Sequence, residues 1–272
     1  MSVDGGAELP PFDPNTPSAA RIYDYLLGGS HNFAADRKAG QAMIAAFPPL
    51  PQILQAGRAF VRRATRFLAV ERGVTQFLDL GSGIPTVRNV HEIVRQASTA
   101  TKVVYLDIDP VAVAHSRRIL QDIAGVRCIH GDLREPEAVC ASADIREFID
   151  FSRPVAVILN AVLHFIADDK EAAGIVDGYL DRVVPGSYLV IGHHTAESER
   201  ADEARARDIY SRAAQPLIPR TREEITGFFH ATELVEPGVV LSPLWRPDPG
   251  EEPASDEQLP LYFGYAGVGR KF

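Results

Sequence analysis

The stretch FLDLGSG, residues 77–83, sets an acid, Asp79, just ahead of a turn made of Gly81, Ser82 and Gly83. Glycine lets the backbone turn sharply and lets a ligand approach with no Cβ in the way. The loop begins like the G-x-G-x-x-G turn that holds a pyrophosphate, but Pro85 and Thr86 follow and the third glycine is missing. Pro85 also removes one helix N–H donor. Asp79 would repel a phosphate at short range and welcome a cationic group. The alternative is a tight strand–helix turn that holds nothing.

Three more apolar runs end in polar residues. KVVYLDID brings Asp107 roughly 20–25 residues after the glycines, where an acid accepts hydrogen bonds from both hydroxyls of a ribose. Asp109, ahead of Pro110, reads equally as a helix N-cap or a ligand contact. In VRCIHGDL, Asp132 can accept from an adenine amino group and the neighbouring Leu133 N–H can donate to the ring; capping of the following helix is the competing reading. PVAVILNA ends in Asn160 and Ala161, which offer amide or backbone groups under the middle of a ligand. An acid for an ammonium, one for a ribose and one for adenine, with no phosphate clamp, together describe S-adenosylmethionine.

Transfer of its methyl group needs a positioned nucleophile, and a hydroxyl acceptor is helped by a general base. His164 follows the fourth run, and His193 and His194 end the fifth, so His164 and His193 are the candidate bases; each is otherwise a turn-capping or buried histidine. HEIVR at 91–95 has Arg95 where a zinc-protease helix needs its second histidine, so no metal site is expected. No G-x-S-x-G elbow or P-loop is present.

The elements that must carry these residues alternate. Strands are expected at TQFLDL, KVVYLDID, VRCIHGD, PVAVILN and SYLVIGHH, with helices near 86–97, 110–121, through about 149 and near 168–182. That alternation, with near-continuous apolar strands, predicts an α/β fold with a parallel sheet covered on both faces. Ahead of it, PSAARIYDYLL stops at Gly28-Gly29, and helical patterns follow at 34–46 and 52–72. Three segments result: a mobile tail over 1–17, a helical segment over 18–73 and the main domain over 74–272. Charged and mixed helices follow residue 197. Then ELVEPGVVLSPLW and LPLYFGYAGVG, around a Pro- and acid-rich loop, predict an antiparallel hairpin at the sheet edge.

Composition narrows the partners. The 272 residues are 46% hydrophobic with a formal charge of −8 and no basic run, against general nucleic-acid binding. No apolar stretch approaches membrane-spanning length, and the opening residues carry acids and prolines in place of a secretory pattern. Two cysteines give no disulfide framework, and a reduced cytoplasmic setting is expected.

The order L-D-L-G-S-G, L-D-I-D-P, G-D-L and PVAVILNAVLHF resembles the class I S-adenosylmethionine-dependent methyltransferases. The stretches PSAARIYDYLLGGSHNFAADR, FLDLGSGIPTVRNVHE, VVYLDIDPVAVAHSR and GDLREP are similar to one bacterial family of these, long catalogued as a domain of unknown function. The resemblance spans roughly residues 15–268. Ser82, Ile84 and Ile108 stand where the family pattern has Thr, Leu and Asn, which touches the adenine side of the site. The resemblance implies a Rossmann-like sheet of seven strands with the last antiparallel, and an N-terminal helical lid over the cofactor. Arg21, Tyr23, Asp24, Gly28, Gly29 and Asn32 are then lid residues, with Arg21 for the methionine carboxylate and an aromatic face from Tyr23 or Tyr25 near the sulfonium; the same helix reads equally as packing down through Ile22, Tyr25 and Leu26. The expected partner is a small-molecule methyl acceptor. A non-catalytic sensor of the cofactor would share every one of these residues, and an NAD(P)-dependent oxidoreductase is the runner-up enzyme, disfavoured by the absent glycine, Asp79 and the closing hairpin.

Overall fold

The computed structural model describes residues 11–85, 89–98, 100–197, 200–250 and 254–272. Most of the expected tail and the first residues of the helix expected at 86–97 lie outside them. Five parallel strands form the heart of the sheet: β1 (Gln76–Leu80), β2 (Lys102–Asp107), β3 (Val126–His130), β4 (Ala156–Asn160) and β5 (Tyr188–His194). They lie in the order β3-β2-β1-β4-β5. The chain therefore winds outward from β1 and then crosses back to β4, which makes the gap beyond the β1 and β4 ends the switch point where such sheets bind ligands.

One correction concerns the far edge. The run ELVEPGVVL is not one strand: Pro237-Gly238 divides it into β6 (Thr232–Leu234) and β7 (Val240–Leu241). Both pair antiparallel with β8 (Gly264–Lys271), which itself runs antiparallel to β5. The sheet thus has eight strands, where seven were expected. Proline has no N–H for a ladder, so a strand crossing it is interrupted there.

Both faces are covered, as the apolar strands require. Phe77, Val103, Tyr105 and Ile158 face one helical layer, made of α3 (Leu50–Arg66) and α4 (Val90–Ala97). Trp245 is packed in that layer, edge-on to Phe60 and Phe67 at 5.4 and 6.0 Å. Arg63 of α3 donates to the carbonyls of Trp245 and Ser242, tying the closing loop to this face. Leu78, Val104, Val157 and Leu189 point the other way, onto α8 (Asp169–Leu180) and its neighbours.

A third apolar cluster sits over the carboxyl ends of the strands. It joins α1 (Ala19–Leu26), α2 (Ala34–Ala46), the start of α3 and α9 (Ala201–Ala213) through Ile22, Met43, Phe47, Tyr210 and Phe263. Ser18 starts α1 by accepting from the Arg21 N–H, the side-chain cap its position predicts.

Candidate active site

Between the strand ends and this helical cover lies a cavity of about 460 Å³. The sheet wall is made of turns that brace one another. The N–H groups of Gly81 and Ser82 both donate to the carbonyl of Leu106, at 2.7 and 3.1 Å. Gly81 has φ +69°, and a Cβ there would meet Val162 at 2.5 Å, so glycine is required on two counts. Gly83 N–H donates to Asp107 Oδ2 at 2.7 Å, and Asp109 N–H to Asp107 Oδ1 at 2.8 Å. Asp107 therefore fixes both turns with one bond per oxygen, and each oxygen keeps a further lone pair for a ligand. Burial, ahead of every other cause, raises its pKa from the usual carboxylate value.

Ser82, Gly83, Asp107, Ile108, Asp109, Asp132, Leu133, Asn160 and Ala161 all line this cavity with Gly81. Asp109 serves as the N-cap of α5 (Pro110–Leu120), accepting from the N–H of Val111 and Ala112, while its other oxygen lies 3.5 Å from Arg21. Asp132 takes both of its oxygens to Arg134 Nε at 2.9 Å, and that hydrogen bond is the main cause that keeps its pKa low. Ile108 is an apolar side chain left 56% exposed. Ala161 holds φ +57°, an uncommon backbone for alanine, with its N–H on Gly192; strain of this kind gathers at functional turns.

Three expected positions differ. Asp79 does not line the cavity; it lies buried, and burial first, then Asp107, pushes its pKa up to about 7 against the lowering effect of Arg58. Asn32 is also off the wall. Its Nδ2 donates to Asp24 Oδ2 and to the Gly29 carbonyl, closing the loop after α1. A Cβ on Gly29 would fall 2.0 Å from Asp24, so the double glycine allows that closure. Arg21 does reach the cavity, but its guanidinium is committed to Asp36 Oδ2 at 2.9 Å, to Thr16 O and to Asp109. It pins the cover to the sheet wall. Tyr23 lines the cavity, with its pKa raised mainly by burial.

Arg58 is a cavity residue that no sequence motif singles out. It lines the cavity, donates to Asn89 Oδ1 at 2.9 Å and acts electrostatically on Asp79 and Tyr23. The signal that could have found it is its spacing: Leu54 and Val61 lie four residues before and three after, so Arg58 is a charge within the apolar stripe of α3.

The histidines divide in an unexpected way. His193 does not reach the larger cavity. Its Nδ1 donates to the His194 carbonyl at 2.7 Å and its Nε2 accepts from Arg220 at 3.0 Å. Burial is the main cause that takes its pKa down to about 3. His164 does line the cavity, and burial first, then His193, His194 and Arg220, holds its pKa well below the usual histidine value. His194, the neighbour of the expected candidate, lines the cavity as well, with Nε2 3.0 Å from Glu203 Oε1. Among the described residues no group of three or more His, Cys, Asp or Glu is placed to hold a metal ion, and no helix is long and apolar enough to cross a membrane.

A sequence profile described as S-adenosyl methyltransferase matches residues 6–272. A crystal structure of a proposed methyltransferase from Thermobifida fusca YX is 38% identical over 99% of each chain, with a TM-score of 0.89. A DUF574 family protein from Streptomyces avermitilis MA-4680 is 36% identical over 96% of this chain and 99% of its own, with a TM-score of 0.90. A comparison with curated proteins found no match.

Proposed function

The chain belongs to the S-adenosyl methyltransferase family, with S-adenosylmethionine as cofactor, and from that premise we propose that it transfers a methyl group to a small molecule held under the helical cover. The observation that carries this reading is the cavity of about 460 Å³ in which the turns after β1, β2, β3 and β4 meet an apolar helical wall. The donors and acceptors present suit the cofactor. Ser82 Oγ is buried and has no hydrogen-bond partner among the described residues; a polar ligand atom would satisfy it. The space where a Cβ of Gly83 would stand is open, and Asp107 has a lone pair to spare on each oxygen.

In this reading Asp107 accepts from the ribose hydroxyls. Asp132 and the Leu133 N–H serve the adenine edge, and Ile108 and Leu133 give the ring apolar faces. Arg58 pairs with the methionine carboxylate, and Tyr23 turns an aromatic face to the cation, a contact of about 0.5–2 kcal/mol. When bound, the cofactor supplies a methyl group on a positively charged sulfur, open to in-line displacement. The chain's own part is to orient the acceptor and exclude water. The apolar residues of α2, α3 and α9 do the second.

Calorimetry with S-adenosylmethionine, S-adenosylhomocysteine and NAD tests the site, followed by a methyl-release assay over a panel of small molecules. Binding of both adenosyl ligands with no response to NAD is expected. Binding without turnover on any acceptor would replace the enzyme by a cofactor sensor.

A further inference from the structure

At the β5 side of the cavity the wall is aromatic. Phe165 stacks on Tyr210 with ring centroids 6.0 Å apart, and the His194 ring lies 4.6 Å from Phe263. Into this apolar surround α9 brings Glu203, a carboxylate only 2% exposed. Burying a carboxylate is costly unless it is paired. Its neighbours are His194 Nε2 at 3.0 Å and Arg207 at 3.7 Å, both beside Oε1; neither carboxylate oxygen, nor His194 Nε2, has a hydrogen-bond partner among the described residues. A carboxylate only accepts, so closing this 3.0 Å contact into a hydrogen bond would place the proton of a neutral His194 on Nε2 and leave the lone pair on Nδ1. His193 offers no such lone pair, because both of its ring nitrogens are already bonded.

We propose that His194, oriented by Glu203, takes the proton from a hydroxyl on an apolar, ring-sized acceptor, which makes the chain an O-methyltransferase for a phenol-like small molecule. This rests on the reading of the cavity as a methyl-transfer site. The acceptor O–H bond breaks and its proton passes to His194. The oxygen's electron pair forms the new O–CH3 bond, and the pair of the old methyl–sulfur bond stays on sulfur, leaving a neutral thioether. His194 is the catalytic residue and Glu203 a positioning residue. The other charged or titratable groups around His194 are His164 after β4, His193 on β5, Arg207 on α9, and Arg220 with its partner Asp169.

The test uses the full chain with 4-nitrophenol and 4-nitroaniline as probes. Wild-type protein saturated with S-adenosylhomocysteine should bind 4-nitrophenol and develop its yellow phenolate band at a pH where the free compound is protonated. His194→Gln should bind the probe without that band. In single-turnover reactions with S-adenosylmethionine it should lose about 10²-fold or more in methyl transfer. Glu203→Gln should lose less, mainly in kcat and not in KM, with Glu203→Asp recovering part of it. Nitrogen NMR should find the Nε2–H tautomer of His194 fixed in wild type and released in Glu203→Gln. Each variant should keep its melting temperature and bind S-adenosylhomocysteine within about twofold of wild type. A phenolate band that survives His194→Gln overturns the proposal. Binding of 4-nitroaniline alone overturns the hydroxyl assignment, and binding of neither probe overturns the ring-sized acceptor. Failure of wild type to bind S-adenosylhomocysteine is a different result, which removes the methyl-transfer reading itself.

Discussion

The sheet wall and the helical wall of the cavity are built differently. On the sheet side, backbone and acid fix one another: Gly81, Ser82 and Gly83 are held by the Leu106 carbonyl and by Asp107, and Asp107 also holds Asp109. On the helical side the surface is made of side chains from α1, α2, α3 and α9, which meet through Ile22, Met43, Phe47 and Tyr210. The first wall is preorganised by short-range hydrogen bonds. The second depends on long-range packing and on a few polar pins such as Arg21 with Asp36 and Asp109. In the proposed reading the rigid half recognises the nucleoside and the adaptable half the acceptor, a division of labour that each substitution below can break.

Asp107 is where the sheet wall is most exposed to damage. Asp107→Ala frees the Gly83 and Asp109 N–H groups and, in the proposed reading, removes both ribose acceptors. Two charge-assisted bonds at about 1.5–3 kcal/mol each give an affinity loss of at least about 10²-fold for S-adenosylhomocysteine. Calorimetry checks it, and unchanged affinity in a folded variant would take Asp107 out of the site.

Asp79 probes the same wall through pH. Its folded pKa of about 7 lies above the ordinary 3.8. A group raised in this way contributes stability that is full below about pH 4 and lost as pH rises through about 7. Asp79→Asn, neutral at every pH, should therefore match wild type near pH 4 and exceed it above pH 7 by a few kcal/mol, at about 1.4 kcal/mol for each tenfold change in proton affinity. His164 and His193, whose pKa values burial lowers, add an opposite slope to both proteins and cancel in the difference. Urea unfolding at several pH values reads it, and parallel curves would remove the buried, uncompensated carboxylate.

Arg58 tests whether the helical wall reaches the cofactor at all. Arg58→Gln should weaken S-adenosylhomocysteine about tenfold or more, the worth of one charge-assisted contact. It should leave 5′-methylthioadenosine, which lacks the amino-acid arm, unaffected. Equal losses for both ligands would return Arg58 to a purely structural part.

The same division explains what was legible in the sequence. Asp107, Asp132 and the glycine turn were readable because the strand endings repeat at a rim fixed by the fold: an apolar run, an acid, then small residues. The eighth strand was hidden because Pro237-Gly238 split a run whose two halves pair with one partner, β8. Arg58 and Glu203 were hidden for another reason. They lie on helices far apart in the chain, and only the packing of α3 and α9 over the sheet brings them to one space. Between His193 and His194 the choice turned on strand alternation. Neighbours on β5 point to opposite faces, and the face toward the cavity is set by pairing with β4 and β8, which no single strand reveals.

The smallest effect expected belongs to the pins of the cover. Asp24 is 2% exposed and accepts from His31 N–H and Asn32 Nδ2, both at 2.8 Å, while its own carbonyl accepts from Gly29. Asp24→Ala leaves two donors without their acceptor, a local cost of about 1–3 kcal/mol. The loop itself adds nothing to the core: residues 28–33 contribute no side chain to any of the three apolar clusters. Unfolding should therefore shift little, while amide exchange over residues 28–33 quickens, because local opening and global unfolding are separate equilibria. If α1 covers the cofactor, S-adenosylhomocysteine should also leave a few-fold faster with its association rate nearly unchanged, since contacts that hold a lid act mainly on escape. Stopped-flow release with exchange mass spectrometry separates the cases. Faster exchange without faster release would mean that the N-terminal helices pack beside the cofactor and do not gate it.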